Sequence, residues 1–383
     1  MRTLEILDGG LFTTVQDLGR VGYQRFGVAV SGAMDPFALR AANVLVGNGD
    51  RAAGLEMTMM GPEIRFPEAA VIALTGADLG PMINRRPAVM WRRIRVSAGA
   101  VLSYSGLRDG LRAYLAVAGG VDVAVVLGSR STSTRAALGG FQGRALKTGD
   151  VLAIGDAAIV PGSPGSSLAG EKGSRSVFGG HVPFPAYGHD HLVRVVPGPQ
   201  DDAFTAAGLA TFTSAVYTMT PQSDRIGCRF QGPPLAHRVT ADIVSDGTVM
   251  GSVQVSGDGL PIVLMADRGT TGGYTKIATV ISADISKLAQ AAPGDRVRFT
   301  AVTLDEAHAL LREQEAVLEG IRKAGLPAPS EAEGEPGDPG TSAEPNDSIF
   351  DEDAGAELAA PAWDDLADAL FRTRRRPTDD DRR

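Results

Sequence analysis

Short apolar runs that end at glycine constrain the fold of this chain more than any other feature of its sequence. Such runs occupy residues 4–7, 71–75, 113–118 and 151–154, and a glycine follows within two residues of each. Runs of this length suit β-strands, and the 48 glycines among 383 residues favour turns over long helices. The spacing therefore predicts a mainly β protein, a barrel or a sandwich, rather than alternating strands and helices.

Two segments carry helical signals instead. Asp35 is suited to cap a helix and Pro36 to its first turn, and the apolar pattern that follows ends at Gly47. Residues 304–323 are rich in charge and carry an apolar stripe at helical spacing. We therefore expect a few short helices and one C-terminal helix beside the strands.

Composition divides the chain into five parts. A segment dense in Gly, Ser and Pro separates two β-rich regions, and residues 114–122 are weakly similar to residues 276–284, which fits two copies of one domain. The predicted parts are a β-barrel domain over 1–160, a linker over 161–190, a second β-barrel domain over 191–302, a helix over 303–324 and a disordered acidic tail over 325–383.

The net charge of −8 comes from the end of the chain, because residues 331–383 hold 16 of the 45 acidic residues and only six of the 37 basic ones. The rest is close to neutral, so charge gives no reason to expect nucleic acid as a partner. No apolar run reaches the ~18 residues that span a bilayer. The start of the sequence has no apolar signal segment. We expect a cytoplasmic protein without a membrane partner.

Common catalytic and metal-binding motifs are missing from the sequence. It contains no P-loop, no HExxH and no GxSxG, and its single cysteine, Cys228, permits no internal disulfide. His189 and His191 lie two residues apart and would share one face of a strand, but no full ligand set accompanies them. The sequence therefore predicts no metal site.

Three segments concentrate polar side chains around glycines: residues 13–25, 221–227 and 266–276. Arginine binds carboxylate or phosphate in a bidentate manner, and glycine lets backbone N–H groups approach an anion. Turns of this kind between apolar strands often form binding sites. The alternative is that aspartate and arginine in these turns only pair with each other and cap the loops.

Long stretches that include these segments resemble one known family. Residues 11–48 read LFTTVQDLGRVGYQRFGVAVSGAMDPFALRAANVLVGN, residues 221–235 read PQSDRIGCRFQGPPL, and residues 266–299 read ADRGTTGGYTKIATVISADISKLAQAAPGDRVRF. They resemble the KipA-like proteins, also called allophanate hydrolase subunit 2 or the C subunit of 5-oxoprolinase, of the biotin-dependent carboxyltransferase family (subdomains A and B). The resemblance runs from about residue 4 to residue 300 and does not extend to the acidic tail.

This resemblance implies two tandem cyclophilin-like β-barrel domains in a multi-subunit enzyme. The expected partners are a KipI-like protein (the B subunit) together with a LamB/YcsF-like protein (the A subunit), and the complex would use ATP to open the lactam of 5-oxoproline to glutamate. Two alternatives stay open. One is the carboxyltransferase subunit of a urea-type carboxylase, with biotin carried on another chain, and the other is a regulatory protein that antagonises its KipI-like partner.

The leading hypothesis assigns roles to the polar residues of the three segments. Phosphorylation of a lactam oxygen calls for cations over phosphate and carboxylate and for little covalent chemistry from the protein. The predicted catalytic residues are Asp17, Arg20, Asp224 and Arg225. The predicted substrate-binding residues are Gln222, Ser223, Arg268, Thr270, Thr271, Tyr274 and Lys276.

Overall fold

A computed structural model describes residues 2–156 and 185–323, together with the backbone of residues 330–331. The described chain is mainly β with four helices, which confirms the predicted fold class. None of these helices has the length and apolar character needed to cross a membrane.

The strands before residue 156 form two hydrogen-bonded sheets. They are β1 (Thr3–Asp8), β2 (Thr13–Gln16), β3 (Gly54–Thr58), β4 (Glu63–Arg65), β5 (Ala70–Asp78), β6 (Pro81–Ile83), β7 (Arg86–Pro87), β8 (Arg93–Val96), β9 (Val101–Tyr104), β10 (Asp109–Val117), β11 (Val121–Asp122) and β12 (Val151–Ile154). One sheet has the order β11-β12-β1-β4-β9-β6-β7, and the other begins β2-β3-β10-β5-β8. Apolar side chains from both sheets share one core.

Helix α1 (Pro36–Val46) packs into this core, and the sequence signals at both of its ends are confirmed. The Asp35 carboxylate accepts a hydrogen bond from the Ala38 backbone N–H at 3.0 Å, and Gly47 ends the helix with a φ of 81°. Nine of its eleven residues are buried. The helix is therefore fixed on several sides, and Asp35 at its start is held in a defined place.

The strands from residue 190 to residue 301 form one mixed sheet that closes on itself. They are β13 (Asp190–Pro197), β14 (Tyr217–Met219), β15 (Gly227–Gln231), β16 (Asp242–Gly247), β17 (Ser252–Val255), β18 (Pro261–Leu264), β19 (Thr271–Val280) and β20 (Arg296–Ala301). The order is β13-β20-β14-β15-β18-β17-β19-β16, and β13 also pairs with β19. This pairing closes a barrel around a second core, as a β-barrel prediction requires.

Three more helices complete the described chain: α2 (Ala206–Ser214), α3 (Ile285–Gln290) and α4 (Leu304–Lys323). Helix α4 follows the second barrel but packs against the first core through Val317, Leu318 and Ile321. Its surface is tied to the first half by an ion pair between Arg40 and Glu315. The C-terminal helix therefore links the two halves.

Two predicted strands differ from the observed ones at their ends. The run 71–75 was expected to stop at Gly76, but β5 continues to Asp78. Gly76 has a φ of 74° and lies where the register against β10 shifts, so this glycine marks a bulge and not a strand end. Strand β10 likewise starts at Asp109, before the apolar run that predicted it.

The predicted linker and tail fall mostly outside the described residues. Within 161–190 the structure describes residues 185–190, where the backbone N–H groups of Tyr187 and Gly188 donate to the Asp109 carboxylate of the first half. Within 325–383 it describes β21 (Ser330–Glu331), which pairs in parallel with Ile94 and Arg95 of β8. This short pairing requires only backbone groups, so apolar periodicity gave no sign of it.

Candidate functional site

The polar segments approach one another where the two halves of the molecule meet, and Arg225 joins the second segment to the third and to the first half of the chain. Its Nε donates to Asp267 at 2.8 Å, its Nη2 donates to the Gly32 carbonyl at 2.7 Å, and its Nη1 donates to the Glu56 carboxylate. Asp267 belongs to the second half, whereas Gly32 and Glu56 belong to the first. One guanidinium therefore bonds to both sides of the junction.

The surroundings of Arg225 compensate for the cost of burying its charge. Burial alone would lower the pKa of the guanidinium, but the charges of Glu56 and Asp267 outweigh it, and the pKa is raised. All three side-chain nitrogens have protein acceptors. These contacts suit a residue that positions the neighbouring loops. Its predicted catalytic role stays a prediction.

A buried hydrogen-bond chain extends from Glu56 toward the second half. The Tyr114 hydroxyl donates to Glu56 and accepts from the Asp35 backbone N–H, both at 2.8 Å. The Asp35 carboxylate in turn accepts from Ser286 at 2.7 Å and from Gln290 at 2.9 Å. Burial raises the pKa of Asp35 and that of Tyr114. This chain connects the start of α1 to α3 and fixes the junction.

Asp17 anchors the loop that follows β2. Its carboxylate accepts hydrogen bonds from Ser129 Oγ, the Arg130 backbone N–H and the Gly19 backbone N–H, each at 2.7 Å. A carboxylate that accepts several protein donors is held firmly in one orientation. The structure therefore places Asp17 where it shapes the loop around Arg20, and its predicted catalytic role is not tested.

Arg20 and Arg268 differ from Arg225, because each has buried nitrogen atoms with no acceptor in the described part of the chain. Arg20 is 1% exposed and donates to the Ser131 carbonyl, but its Nε and Nη1 have no partner. Arg268 is 6% exposed, and its Nε has none. Burial lowers the pKa of both guanidinium groups. The charges of Asp17 and Asp267 partly compensate Arg20, whereas burial is the cause that acts on Arg268, and a buried cation without an acidic partner is suited to an anionic ligand.

Two clefts lie beside Arg268. The first cleft has a volume of about 540 Å³ and is lined by residues 27–29, by Ser133, Arg135, Ala136 and Leu138, and by residues 267–271. The second cleft, of about 470 Å³, includes Ser31, Arg40, Asp50 and Arg51. Both volumes fall in the range of small-molecule sites. Arg268 is the residue that the two clefts share.

Thr270 and Thr271 line the first cleft, as their predicted substrate-binding role requires, but Gln222, Ser223 and Asp224 line neither cleft. Asp224 accepts from the backbone N–H groups of Ile226 and Gly227, so its carboxylate closes a turn. Ser223 accepts from the Arg229 backbone N–H at 2.9 Å in the same turn. These contacts close the turn, while Arg225 from the same segment reaches the junction, and the predicted roles of Gln222, Ser223 and Asp224 stay predictions.

Tyr274 and Lys276 lie further along β19, away from the lining of both clefts. Lys276 is 3% exposed, and its Nζ donates to Asp246 at 2.8 Å. Tyr274 is 38% exposed and pairs with Asp242 of the neighbouring strand. Neither residue lines a cleft, and their predicted roles in binding remain untested.

Sequence reasoning missed Glu56, Asp267 and Arg135 as site residues. Glu56 lies within a four-residue buried stretch of β3, where strand alternation would place an acid toward solvent. Asp267 sits inside a segment that was singled out, but its pairing with Arg225 is not visible from spacing. Arg135 follows residues 129–134, whose density of serine and threonine is a signal that would have identified this cleft wall.

His189 and His191 both contact Asp295, at 2.7 and 3.2 Å. The two imidazoles therefore serve as partners of one carboxylate at the start of the second barrel. In the parts of the chain that the structure describes, no group of three or more His, Cys, Asp or Glu side chains is placed to hold a metal ion.

The fold is that of a carboxyltransferase-type protein: the chain belongs to the family described as carboxyltransferase domain, subdomain A and B, whose model matches residues 26–301. It is 37% identical over 320 residues to the C subunit of 5-oxoprolinase from Haemophilus influenzae, covering 84% of this chain and 98% of that protein. It is 32% identical over 338 residues to urea amidolyase of Lachancea kluyveri, covering 84% of this chain and 18% of that protein.

A solved structure extends this likeness to three dimensions. The urea amidolyase of K. lactis superposes with a TM-score of 0.74 at 29% identity, over 86% of this chain and 21% of that one. This chain therefore corresponds to about a fifth of that larger protein, whereas it spans nearly all of the Haemophilus protein.

Proposed function

We propose that this chain is the C subunit of an ATP-dependent 5-oxoprolinase, which hydrolyses 5-oxo-L-proline to L-glutamate. The similarity to the Haemophilus 5-oxoprolinase protein covers 98% of that protein and 84% of this chain. The matched part of the urea amidolyase is only 18% of its length. The Haemophilus subunit is therefore the relative on which we base the proposed function, rather than the urea amidolyase.

The observation that carries the proposal is the pair of buried arginines beside the clefts. A lactam carbonyl is unreactive because of amide resonance, and phosphorylation of its oxygen makes that oxygen a leaving group. Such a reaction relies on positioned cations, which hold the carboxylate of the substrate as well as the transferred phosphoryl group. Arg20 and Arg268 have nitrogen atoms free of protein acceptors in the described structure. The acids nearby, Asp17, Glu56 and Asp267, already hold protein donors.

The proposal includes two partner proteins, a KipI-like B subunit with a LamB/YcsF-like A subunit. The clefts offer cations and hydroxyls, but the acids at them are engaged within the protein, so a complete catalytic set would need groups from another chain. Val21 and Phe26, each 65% exposed, lie on the loop that borders the first cleft and would suit contact with a partner. We expect the isolated chain to be inactive.

The test is to co-purify the chain with the products of neighbouring genes and to measure glutamate release from 5-oxoproline with and without ATP. ATP-dependent release by the complex, absent from the chain alone, is the expected result. Turnover by the chain alone would contradict the need for partners. No turnover by any complex that assembles would contradict the proposed reaction.

A second candidate function is carboxyl transfer from carboxybiotin to a urea-like amide. The carboxyltransferase description of the family and the similarity to urea amidolyase favour it. Biotin would arrive on another chain, since no biotin-attachment segment is visible in this sequence. The same purified complexes decide between the two functions: urea carboxylation with a biotin-bearing partner supports transfer, and glutamate release supports lactam hydrolysis.

A further inference from the structure

The lining of the first cleft has an excess of positive charge. Arg135 and Arg268 line it, and Asp267 is the acid among its lining residues. The Asp267 carboxylate already bonds Arg225 through both oxygens, at 2.8 and 3.3 Å. Its charge is therefore compensated within the protein, and the charge of Arg268 is left for a ligand.

Arg20 is a further cation, packed against the residue that follows Leu138 of the cleft lining. A Cβ on Gly139 would fall 2.5 Å from Arg20 Nη2, so a glycine with a φ of 67° provides the space that this guanidinium occupies. Gly139 follows Leu138, which lines the first cleft. The Nε and Nη1 of Arg20 have no acceptor within the described residues. Arg268 therefore lines the cleft, Arg20 packs against Gly139 next to the cleft residue Leu138, and guanidinium groups are suited to bind an oxyanion.

We infer that Arg268, supported by Arg20, forms an oxyanion subsite that binds the carboxylate of a small amide substrate. The inference rests on the proposed function and deepens it, because 5-oxoproline carries a carboxylate and urea does not. Arg268 would bind this carboxylate, while Thr270 and Thr271 in the same cleft can form hydrogen bonds with an amide.

A phosphoryl group is the other source of the same chemistry, and the lining residues fit it less well. Nucleotide phosphates usually bind with Mg²⁺, which takes carboxylate ligands. Asp267 of the first cleft is bonded to Arg225, and Asp50 of the second cleft is bonded to Arg40 at 2.8 Å. Neither acid is available for a metal ion without breaking an ion pair. The carboxylate is therefore the proposed ligand group.

The experiment compares two ligands that differ in one group. Binding of 5-oxoproline and of 2-pyrrolidinone, the same lactam without its carboxylate, is measured by calorimetry, and KM for 5-oxoproline is measured in the reconstituted complex. The variants are Arg268→Gln and Arg268→Lys, with Arg298→Gln as the matched control, because Arg298 is exposed on β20 of the same half. Melting temperatures of all variants are recorded to separate binding from folding.

We expect wild-type protein to prefer 5-oxoproline, and Arg268→Gln to weaken its binding, or raise its KM, by about tenfold or more. Arg268→Lys keeps the charge but loses the fork geometry, so an intermediate effect is expected. Arg298→Gln should match wild type. An unchanged Kd and KM in folded Arg268→Gln would overturn the inference, as would a loss of ATP binding with 5-oxoproline binding intact.

These experiments distinguish a failure of the inferred subsite from a failure of the proposed function. If the complex releases glutamate but Arg268→Gln has the wild-type KM, the subsite is wrong and the function stands. If no complex turns over 5-oxoproline, yet carboxylate binding to the chain depends on Arg268, the subsite stands and the function is wrong.

Discussion

Arg225 and Arg268 have the same side chain and lie in similar Gly-containing turns, but their surroundings give them different hydrogen-bond partners. Arg225 donates to Glu56, Asp267 and Gly32, so its charge is compensated within the protein. Arg268 has a buried Nε without an acceptor in the described structure. The difference arises from residues far apart in the chain, since the Arg225 acceptor Glu56 lies 169 positions away. Loss of Arg225 should therefore affect stability first, and loss of Arg268 should affect binding.

Replacing Arg225 with lysine tests its positioning role. Lysine keeps one charge but cannot reach three acceptors, so Glu56 and Asp267 would lose compensation in a buried place. We expect the free energy of unfolding, measured in urea, to fall by about 3 kcal/mol, and activity to fall with it. Arg298→Lys, on the exposed face of β20, is the control. Lost turnover with unchanged stability would instead support direct contact with the reacting group.

Cys228 should be chemically inert in the folded protein. The side chain is buried, and burial raises the pKa of the thiol to about 12. Because the thiolate is the reactive form, iodoacetamide at about pH 8 should not modify native protein but should modify urea-unfolded protein rapidly. Mass spectrometry of both samples measures this directly. Fast modification of the native state would indicate that this part of the second core opens readily.

At the scale of elements, the sequence predicts the features that depend on residues close together in the chain, such as the ends of helices. Asp35, Pro36 and Gly47 fix both ends of α1, and residues 304–323 match α4 as observed. Strand pairing is different, because the partners of each strand lie far away and depend on the whole core. The closure of β13 on β19 and the packing of α4 on the first core were therefore not predicted. Glu56 was not predicted as a site residue for the same reason, because its partner Arg225 lies far away in the chain.

Helix α4 offers a matched pair of leucines for testing its packing. Leu318 is fully buried in the first core, whereas Leu304, on the same helix, is 63% exposed. Leu318→Ala should lower the free energy of unfolding by about 2–5 kcal/mol because it leaves a cavity. Leu304→Ala should change it by less than about 0.5 kcal/mol. Urea unfolding of both variants gives the comparison, and equal effects would contradict the observed docking of α4.

Two histidines at the start of β13, His189 and His191, should make the free energy of unfolding depend on pH in opposite directions. Burial lowers the pKa of His191 below its ordinary 6.5, and Asp295 opposes this only in part. Its contribution to stability is therefore present above about pH 6.5 and lost as the pH falls. The Asp295 hydrogen bond raises the pKa of His189, whose contribution is present below about pH 6.5 and lost as the pH rises.

Two single variants separate these contributions. Between about pH 5 and pH 7, His191→Gln should reduce the loss of stability on acidification, and His189→Gln should increase it. Urea unfolding at several pH values measures both slopes. Slopes that change in the same direction in the two variants would contradict the assignment.

At the scale of the whole molecule, the two halves are connected in several independent ways. Arg225 bonds Glu56, Arg112 donates to the Ala289 carbonyl, and α4 returns from the second half to the first core. The clefts also need both halves, since residues 27–29 come from the first and residues 267–271 from the second. A binding site of this kind keeps its shape only while the halves stay docked. We therefore expect them to unfold as one cooperative unit.

Trp91 allows this cooperativity to be measured, because it is fully buried in the first core. In a Trp363→Phe background it is the remaining tryptophan of the two in the chain, so its fluorescence follows the first half. Val253→Ala, in the core of the second half, should cost roughly 2 kcal/mol and should lower the melting temperature that Trp91 reports. Val244→Ala is the control, since Val244 is 93% exposed in the same half. A Trp91 transition unchanged by Val253→Ala, with a second calorimetric transition that moves alone, would show that the halves unfold independently.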